Sequence, residues 1–347
     1  MLWACIALPQ LALDTVLRQH EDPSQPVVLL GGPLQRRLLV AANAAAQALG
    51  LRVGQRLVEA QAISDVFTAL PHDPADDLRQ QRWLAAWAYR YTHRVSLDWP
   101  DALLLEVGAS LQLMGGWQAL EARLHVDLQQ LGFVHRIAVA PSARAAHLLA
   151  WLRDGLCFFE PDTLLHALER VPVRRALLPG ETGEALHRMG IRRLGALFDT
   201  PRDGLQRRFG DELLVHIDQL RGLQSEVLHF YTPPDHFVLR RELPWRVENH
   251  RSLMFPLRRM IDDLVVFLSD HDRGVQHLQL VLEHDGNERT DTVLTVRMLT
   301  AERDADLLFE LTRTRLEQLR LSAPVVSMRL QANDLPPFVP ALKDLFE

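Results

Sequence analysis

Residues 177–191 read LLPGETGEALHRMGI, a Pro-Gly turn followed by a short helix that ends at a glycine. Gly183 follows Gly180 by three residues, and Gly190 closes the predicted helix. Glycines allow close approach of the backbone, and N–H groups at a helix start point towards a phosphate oxygen without reading any base. The stretch therefore predicts a helix-hairpin-helix element for a nucleic-acid backbone, although an ordinary turn between two helices uses the same residues.

Positive charge gathers around this stretch. Residues 169–259 carry 16 basic and 12 acidic side chains, a net charge of +4, whereas residues 1–168 and 260–347 carry −3 and −7. Release of counter-ions from phosphate favours non-specific binding by such a basic segment, even in a chain whose total charge is −6. The candidate DNA-binding residues are Gly180, Thr182, Gly183, Arg188, Arg192, Arg193, Arg240, Arg241, Arg246 and Arg251.

The last third of the chain predicts a domain of its own. After a proline-containing linker near residue 233, apolar patterns of period two and period 3.6 alternate in the order β-α-β-β-α-β. This order is typical of a ferredoxin-like domain. The predicted strands are 237–245, 275–283, 290–298 and 325–331, and the predicted helices are 252–268 and 304–319.

The first half predicts an α/β sheet with a helical insertion, which makes the whole chain a multidomain α/β (α+β) protein. Short apolar runs bounded by proline or glycine indicate buried strands. An alanine-rich run that stops at a glycine indicates a helix. The predicted strands include 2–8, 26–31 and a hairpin of 95–98 with 102–107, and the predicted helices include 41–49 and 57–63.

Catalysis has no obvious place in this sequence. Asp101 and Glu106 lie on the predicted hairpin, but their spacing puts them on opposite faces of an ideal strand, so they are poorly placed to share a metal ion. The chain has no Walker loop, GxGxxG, GxSxG or HExxH motif. We therefore expect no cofactor and no bound metal.

Composition indicates a folded protein. Hydrophobic residues make up 48% and charged residues 24%, and no apolar run reaches the roughly 18 residues that a membrane span requires. The start of the chain has no secretory features, so we expect a cytoplasmic protein with no membrane contact. Cys5 and Cys157 form no metal-binding or disulfide pattern.

Taken together, these elements resemble the Y-family lesion-bypass DNA polymerases, and most closely their ImuB-type relatives. Residues 39–55, LVAANAAAQALGLRVGQ, look like the fingers segment of that family, and residues 177–190 look like its thumb hairpin. The resemblance covers nearly the whole chain. It implies a palm at 1–168 with a fingers insertion at about 32–75, a thumb at 169–230, a little finger at 231–335 and a tail at 336–347.

Most positions that carry the chemistry of active family members hold other residues here. The metal-binding acid of the first strand falls on Ala7, and of the two acids in the second motif only Asp101 survives, beside Ala102. The resemblance thus implies a polymerase body in which Asp101 and Glu106 are vestigial. The aromatic residue that excludes ribonucleotides falls near Ala12, the tyrosine and arginine that hold the triphosphate fall on Ala44 and Gln47, and a family lysine falls on His147.

The resemblance implies a noncatalytic scaffold in translesion synthesis and SOS-induced mutagenesis. Its expected partners are DNA, a RecA-like ImuA-type protein, an error-prone C-family DNA polymerase and the sliding clamp. The tail sequence LKDLF resembles the clamp-binding peptide Gln-Leu-x-Leu-Phe without its glutamine, so Leu342, Leu345 and Phe346 are the candidate clamp-binding residues, with a frayed tail as the alternative. Family members usually continue beyond this point with a partner-binding region, which is consistent with a truncated sequence.

Two other functions stay open from the sequence. One is an active low-fidelity DNA polymerase that uses Asp101 and Glu106 with a third ligand not yet identified. The other is an interaction module that binds only proteins. Primer extension separates the polymerase from the scaffold, and the absence of DNA binding at low salt favours the protein-only module.

Overall fold

The computed structural model describes residues 1–18, 22, 24–232, 236–284, 291–321 and 323–338. The candidate clamp-binding residues Leu342, Leu345 and Phe346 lie outside this range. The chain divides into two compact units. The first unit comprises Met1–Thr15 with Asp73–Tyr231, and the second comprises Val16–His72 with Thr232–Glu347.

A five-stranded sheet forms the centre of the first unit, in the order β5-β6-β1-β7-β8. Strand β1 is buried along its whole length, which explains why its sequence is continuously apolar and does not alternate. It pairs antiparallel with both β6 and β7. The strands are β1 (Trp3–Ala7), β5 (Val95–Ser96), β6 (Ala102–Glu106), β7 (Arg136–Ala140) and β8 (Leu156–Cys157).

Helices cover this sheet and continue into the thumb-like segment. The Ser142 hydroxyl accepts a hydrogen bond from the N–H of Ala145 and caps the alanine-rich helix that packs on β1. Apolar residues of this helix and of the helices after it share one core. The helices are α1 (Leu11–Leu17, which runs into the second unit), α4 (Pro74–Ala88), α5 (Trp117–Gln130), α6 (Ala143–Leu152), α7 (Pro161–Glu169), α8 (Thr182–Arg188), α9 (Leu194–Phe198), α10 (Arg202–Phe209) and α11 (Asp211–Leu220).

The N-terminal part of the second unit corrects the prediction of a purely helical insertion. It holds a three-stranded sheet in the order β3-β2-β4, with two short helices. The predicted helix 41–49 begins later, because residues up to Ala42 pair with β2 and the Asn43 side chain then caps the helix at Ala46. The elements are β2 (Val27–Gly31), β3 (Leu38–Ala42), α2 (Ala44–Ala48), α3 (Leu57–Ile63) and β4 (Thr68–Pro71).

The C-terminal part of the second unit confirms the predicted β-α-β-β-α-β order. Its sheet has the order β11-β10-β12-β9 and is antiparallel throughout. Both helices contact this sheet and each other. The elements are β9 (Phe237–Val247), α12 (His250–Asp270), β10 (Val275–His284), β11 (Thr292–Glu302), α13 (Ala305–Glu317) and β12 (Val325–Ala332).

Among the helices in the described part of the chain, none combines the length and the apolar character that crossing a bilayer requires.

Candidate functional site

Two positions to which the family resemblance assigns metal-binding acids face each other on adjacent strands of the central sheet. Ala7 on β1 pairs directly with Ala102 on β6, and their exposed fractions are 0% and 1%. Opposed residues of an antiparallel pair have Cβ atoms about 4.5–5.5 Å apart. Both methyl groups lie in an apolar core cluster that also contains Cys5 and Leu104. The sheet therefore brings these two positions together, in surroundings that disfavour an ion.

Asp101 lies at the turn that leads into β6, with a positive φ of 52°. Its backbone carbonyl accepts a hydrogen bond of 2.8 Å from the N–H of Leu8, which fixes the turn against the end of β1. The side chain is half-buried. One acid thus remains at the edge of the alanine pair.

Glu106 does not belong to this site. It pairs with Trp3 at the opposite end of β6, four residues beyond Ala102 or roughly 13 Å along the strand. Its buried carboxylate accepts hydrogen bonds from the backbone N–H groups of Leu2 (3.4 Å) and Gly108 (3.2 Å). Its interpretation as a vestigial ligand beside Asp101 is therefore wrong, because it holds the start of β1 in place.

No group of three or more histidine, cysteine, aspartate or glutamate side chains within the described ranges could hold a metal ion. Asp101 and Glu106 lie at opposite ends of β6, too far apart to share one ion.

An aromatic stack lies beside this apolar core, against which Trp99 packs. The Trp99 and His147 rings stack with centroids 4.4 Å apart, and the Arg144 guanidinium lies 5.3 Å from the Trp99 ring centroid. Trp151 Nε1 donates a hydrogen bond of 3.1 Å to His147 Nε2. The Gln81 amide donates bonds of 2.7 Å to the carbonyls of both Trp99 and Ala102, so the stack and the end of β6 are held together.

The histidines of this region are neutral near pH 7. Burial and the nearby Arg144 lower the pKa of His147 to about 4, and the same two causes lower the pKa of His216 to about 4. Arg144 is itself paired with Glu226, whose pKa is raised by burial. His147, at the position of a family lysine, therefore offers no positive charge to a triphosphate.

These pKa values predict that acid destabilises the first unit. Because the folded pKa of His147 and His216 lies below the ordinary histidine value of 6.5, the unfolded chain takes up protons first as pH falls. The contribution of these two histidines to the free energy of unfolding is complete above pH 6.5, and it is lost as pH falls towards 4. We expect the free energy of unfolding to drop by at least about 2 kcal/mol between pH 7 and pH 4.5.

Urea unfolding followed by tryptophan fluorescence measures this change, since of the seven tryptophans only Trp245 lies in the second unit. Replacing both His147 and His216 by glutamine should flatten the pH dependence. Replacing the exposed His166 by glutamine should leave it unchanged. An equal pH dependence in the double variant and the parent chain would refute the assignment.

The other positions at which the resemblance implies a replaced functional residue lie on helices and not on the strands of the alanine pair. Ala12 is half-buried on α1 of the first unit. Ala44 and Gln47 are exposed on α2 of the second unit. The Gln47 amide donates a hydrogen bond of 2.7 Å to the carbonyl of Ala42, so its side chain folds back on the end of β3.

The thumb-like hairpin has two glycines, and glycine is favoured at each of them for a different structural reason. A Cβ on Gly183 would lie 2.7 Å from the carbonyl oxygen of Val173, so packing of the backbone within the chain requires glycine there. Gly180 has a φ of +53° and open space around it. Thr182 is the first residue of α8, between the two. The sequence predicts that Gly183 allows a close approach of phosphate. In the structure, glycine is required there by close packing against the backbone of Val173.

Three of the predicted arginines form an exposed cationic group at the end of this hairpin. Arg188 ends α8, and Arg192 and Arg193 follow within five residues. All three are exposed and make no ion pair with any residue of the described ranges. Their charge is therefore available to a phosphate backbone.

Two arginines of β9 have carboxylate partners within the second unit. Arg241 is nearly buried and donates a hydrogen bond of 2.8 Å to Asp263 on α12. Arg240 bonds Glu283 and Glu242. Their prediction as free DNA-binding charges is corrected, because counting arginines takes no account of the acids that neutralise them. Arg246 and Arg251 are exposed, as a DNA contact requires.

Sequence reasoning missed polar residues on the face of the four-stranded sheet that the helices leave uncovered. Their signal is the period-two alternation of β10, β11 and β12, in which buried leucines and valines alternate with polar side chains. Cross-strand pairing aligns them in rows, such as Gln279 with Thr295 and Gln331. The set consists of His277, Gln279, Thr295, Arg297, Arg329 and Gln331.

Comparison with known proteins agrees with this architecture. Residues 15–150 match the impB/mucB/samB family. The chain is 30% identical over 281 residues to the protein ImuB of Caulobacter vibrioides strain NA1000 / CB15N, and equally to that of strain ATCC 19089 / CIP 103742 / CB 15. These matches cover 78% of this chain and 59% of ImuB, so the chain spans little more than half the length of these relatives.

Solved structures show the same fold. The crystal structure of DinB from Sulfolobus solfataricus superposes with a TM-score of 0.53 at 13% identity, covering 98% of this chain and all of DinB. An insertion ternary complex of Dbh DNA polymerase gives 0.53 at 12% identity, covering 97% and 100%. The resemblance drawn from the motifs is thereby confirmed: the chain is a homologue of the Y-family DNA polymerases, related to ImuB.

Proposed function

We propose that this chain is a noncatalytic DNA-binding scaffold that acts in DNA damage tolerance by translesion synthesis and SOS-induced mutagenesis. The observation that carries the proposal is the direct pairing of Ala7 with Ala102, both buried among apolar side chains. The 30% identity to ImuB supports the same role.

Two-metal phosphoryl transfer needs several carboxylates around a pair of divalent ions about 3.5–4 Å apart. Magnesium that has one protein carboxylate keeps most of its waters and binds weakly. Asp101 directly precedes Ala102 in the chain, no other acid lies within three residues of Ala7 or Ala102 along the sequence, and His147 is neutral. The site would therefore lack both the pair of divalent ions and the positive side-chain charge that the reaction requires.

DNA contact is proposed for the exposed arginines. Arg188, Arg192 and Arg193 supply a group of positive charges, and Gly180 and Thr182 leave the start of α8 accessible. In the second unit we propose contacts from Arg246 and Arg251 and from the uncovered sheet face that carries Arg297. Binding of this kind ignores sequence and weakens as salt is added, because phosphate contacts release counter-ions.

The proposed partners follow from the relationship to ImuB. They are a RecA-like ImuA-type protein, an error-prone C-family DNA polymerase that performs the synthesis, and the sliding clamp. The clamp contact is proposed at Leu342, Leu345 and Phe346. The scaffold would link the clamp to the polymerase at damaged DNA.

We expect the purified chain to bind primer-template DNA and to extend it no further than a no-enzyme control, with magnesium or manganese. The test runs primer extension and a DNA titration on one preparation. Incorporation that disappears in the variant Asp101→Ala would overturn the proposal in favour of an active polymerase. Absence of DNA binding at low salt would favour a module that binds only proteins.

Charge reversal tests the thumb contact. Replacing Arg188, Arg192 and Arg193 together by glutamate should weaken DNA binding at least tenfold and lower the slope of log K against log salt by up to about 3, since each phosphate contact contributes about one. The matched control replaces the same residues by lysine, which keeps the charge. Equal affinity of the glutamate and lysine variants would remove these residues from the interface.

A further inference from the structure

We propose that residues 34–59 form a docking surface for a short segment of a partner protein that carries acidic and apolar side chains together. The surface uses none of the residues assigned to DNA above, and it stands whether or not the chain polymerises. It is called the 34–59 cleft below. Its residues all belong to the second unit.

Backbone hydrogen bonds place two stretches of chain side by side to form this cleft. The N–H of Leu57 bonds the carbonyl of Arg37 (3.0 Å), and the N–H of Leu39 bonds the carbonyl of Gln55 (2.9 Å). Leu38 and Arg56 form an isolated β-bridge between the same stretches. The result is a cleft of about 360 Å³ lined by Leu34, Gln35, Arg36 and Arg37 on one side and by Arg56, Leu57, Val58 and Glu59 on the other.

Large apolar side chains stand in solvent at this cleft. The exposed fractions are 79% for Leu34 and 75% for Val58. Leu38, Val40 and Val53, on or beside the same two stretches, are exposed as well. A cluster of exposed aliphatic side chains is typical of an interaction surface, and covering a leucine or valine is favourable because it removes apolar surface from water.

The charge of the cleft selects the partner. Arg36, Arg37 and Arg56 line it and make no ion pair with any residue that the structure describes. Glu59 uses a carboxylate oxygen to accept a hydrogen bond of 3.1 Å from the backbone N–H of Arg56. Unpaired guanidinium groups beside aliphatic side chains are complementary to carboxylates that alternate with apolar residues.

The same residues fit a single strand of nucleic acid less well. Strands bind through bases stacked on aromatic side chains, combined with positive charge along the backbone. The lining of the 34–59 cleft contains no phenylalanine, tyrosine or tryptophan. Phosphates would satisfy the arginines but would leave Leu34 and Val58 uncovered, whereas a peptide can cover both.

The test selects ligands from a random library of 12-residue peptides displayed on phage, with the whole chain as bait. We expect enriched peptides to combine aspartate or glutamate with leucine or aromatic residues. Affinities of the synthetic peptides are then measured by fluorescence polarisation. Binding should weaken at least tenfold in the variant Val58→Ser and in the double variant Arg36→Glu with Arg56→Glu.

Matched controls separate the cleft from general effects. Val66→Ser removes an apolar side chain that is 67% exposed outside the cleft and should change affinity less than twofold. Replacing Arg36 and Arg56 by lysine should retain most of the binding. DNA affinity of the Val58→Ser variant should equal that of the parent, which distinguishes this proposal from the DNA contacts above.

The proposal is overturned if no acidic and apolar class is enriched, or if the enriched peptides bind the cleft variants within twofold of the parent. It is also overturned if an oligothymidylate displaces the peptides and loses tenfold in affinity on Val58→Ser, since the cleft would then belong to nucleic acid.

Discussion

Replacing Asp263 by alanine should lower the free energy of unfolding of the second unit by about 3–5 kcal/mol, because removing one partner leaves buried charges without compensation. Asp263 accepts hydrogen bonds from Arg18 Nη2 at 2.9 Å and from Arg241 Nη2 at 2.8 Å. Its side chain is 4% exposed, and both arginines are nearly buried. Burial lowers the pKa of Arg18, and the negative charge of Asp263 raises it. The carboxylate therefore stabilises the charged form of the buried guanidinium.

Hydrogen exchange followed by mass spectrometry measures this loss at α12, because Trp245 is the one tryptophan of the second unit and its fluorescence reports on its own surroundings in β9. The neighbouring Asp262 provides the control. Its ion pair with Arg258 is substantially exposed, so Asp262→Ala should cost about 1 kcal/mol or less. A loss of under 1 kcal/mol for Asp263→Ala would show that solvent reaches the cluster.

The second large effect is expected when an acid is returned to the central sheet. Ala7→Asp places a carboxyl at a fully buried position, where loss of solvation raises a carboxyl pKa by about 3 units or more. Each unit corresponds to about 1.4 kcal/mol, so the variant should lose roughly 4 kcal/mol at pH 7. Because the pKa of the introduced carboxyl is raised in the folded state, the folded state binds a proton more readily than the unfolded chain. The loss in free energy of unfolding relative to the parent should therefore shrink as pH falls from 7 towards 4.

Paired urea titrations of parent and variant across this pH range give the difference directly. Ala75→Asp is the control, because Ala75 is exposed in the first turn of α4, where a negative charge is favourable. Full recovery of the Ala7→Asp variant by millimolar magnesium would mean that the surrounding groups complete a metal site, contrary to the proposed function.

Much of the fold could be predicted because it depends on local patterns. The ferredoxin-like order followed from alternating periodicities, and strand β1 followed from an apolar run bounded by Pro9. The three-stranded sheet near residue 40 could not be predicted. Alanine favours helix locally, but pairing of β3 with β2 overrides that preference up to Ala42.

The candidate site was predictable where it depends on motif positions and unpredictable where it depends on partners. The motif alignment pointed to Ala7 and Ala102, and strand pairing places them opposite each other. No sequence pattern indicated that Arg241 would be neutralised by Asp263, because the two lie on different elements. The spacing of Asp101 and Glu106 already indicated that they are poorly placed to share an ion, but it could not indicate that the Glu106 carboxylate binds the backbone of Leu2 and Gly108.

The hydrogen bonds of Gln81 to the carbonyls of Trp99 and Ala102 limit which side chains the alanine pair can accept. An acid at position 7 would introduce a charge into an apolar core, and an acid at position 102 would place one on the residue whose carbonyl Gln81 already binds. Burying a polar group without a partner costs free energy, so packing alone favours small apolar side chains at both positions.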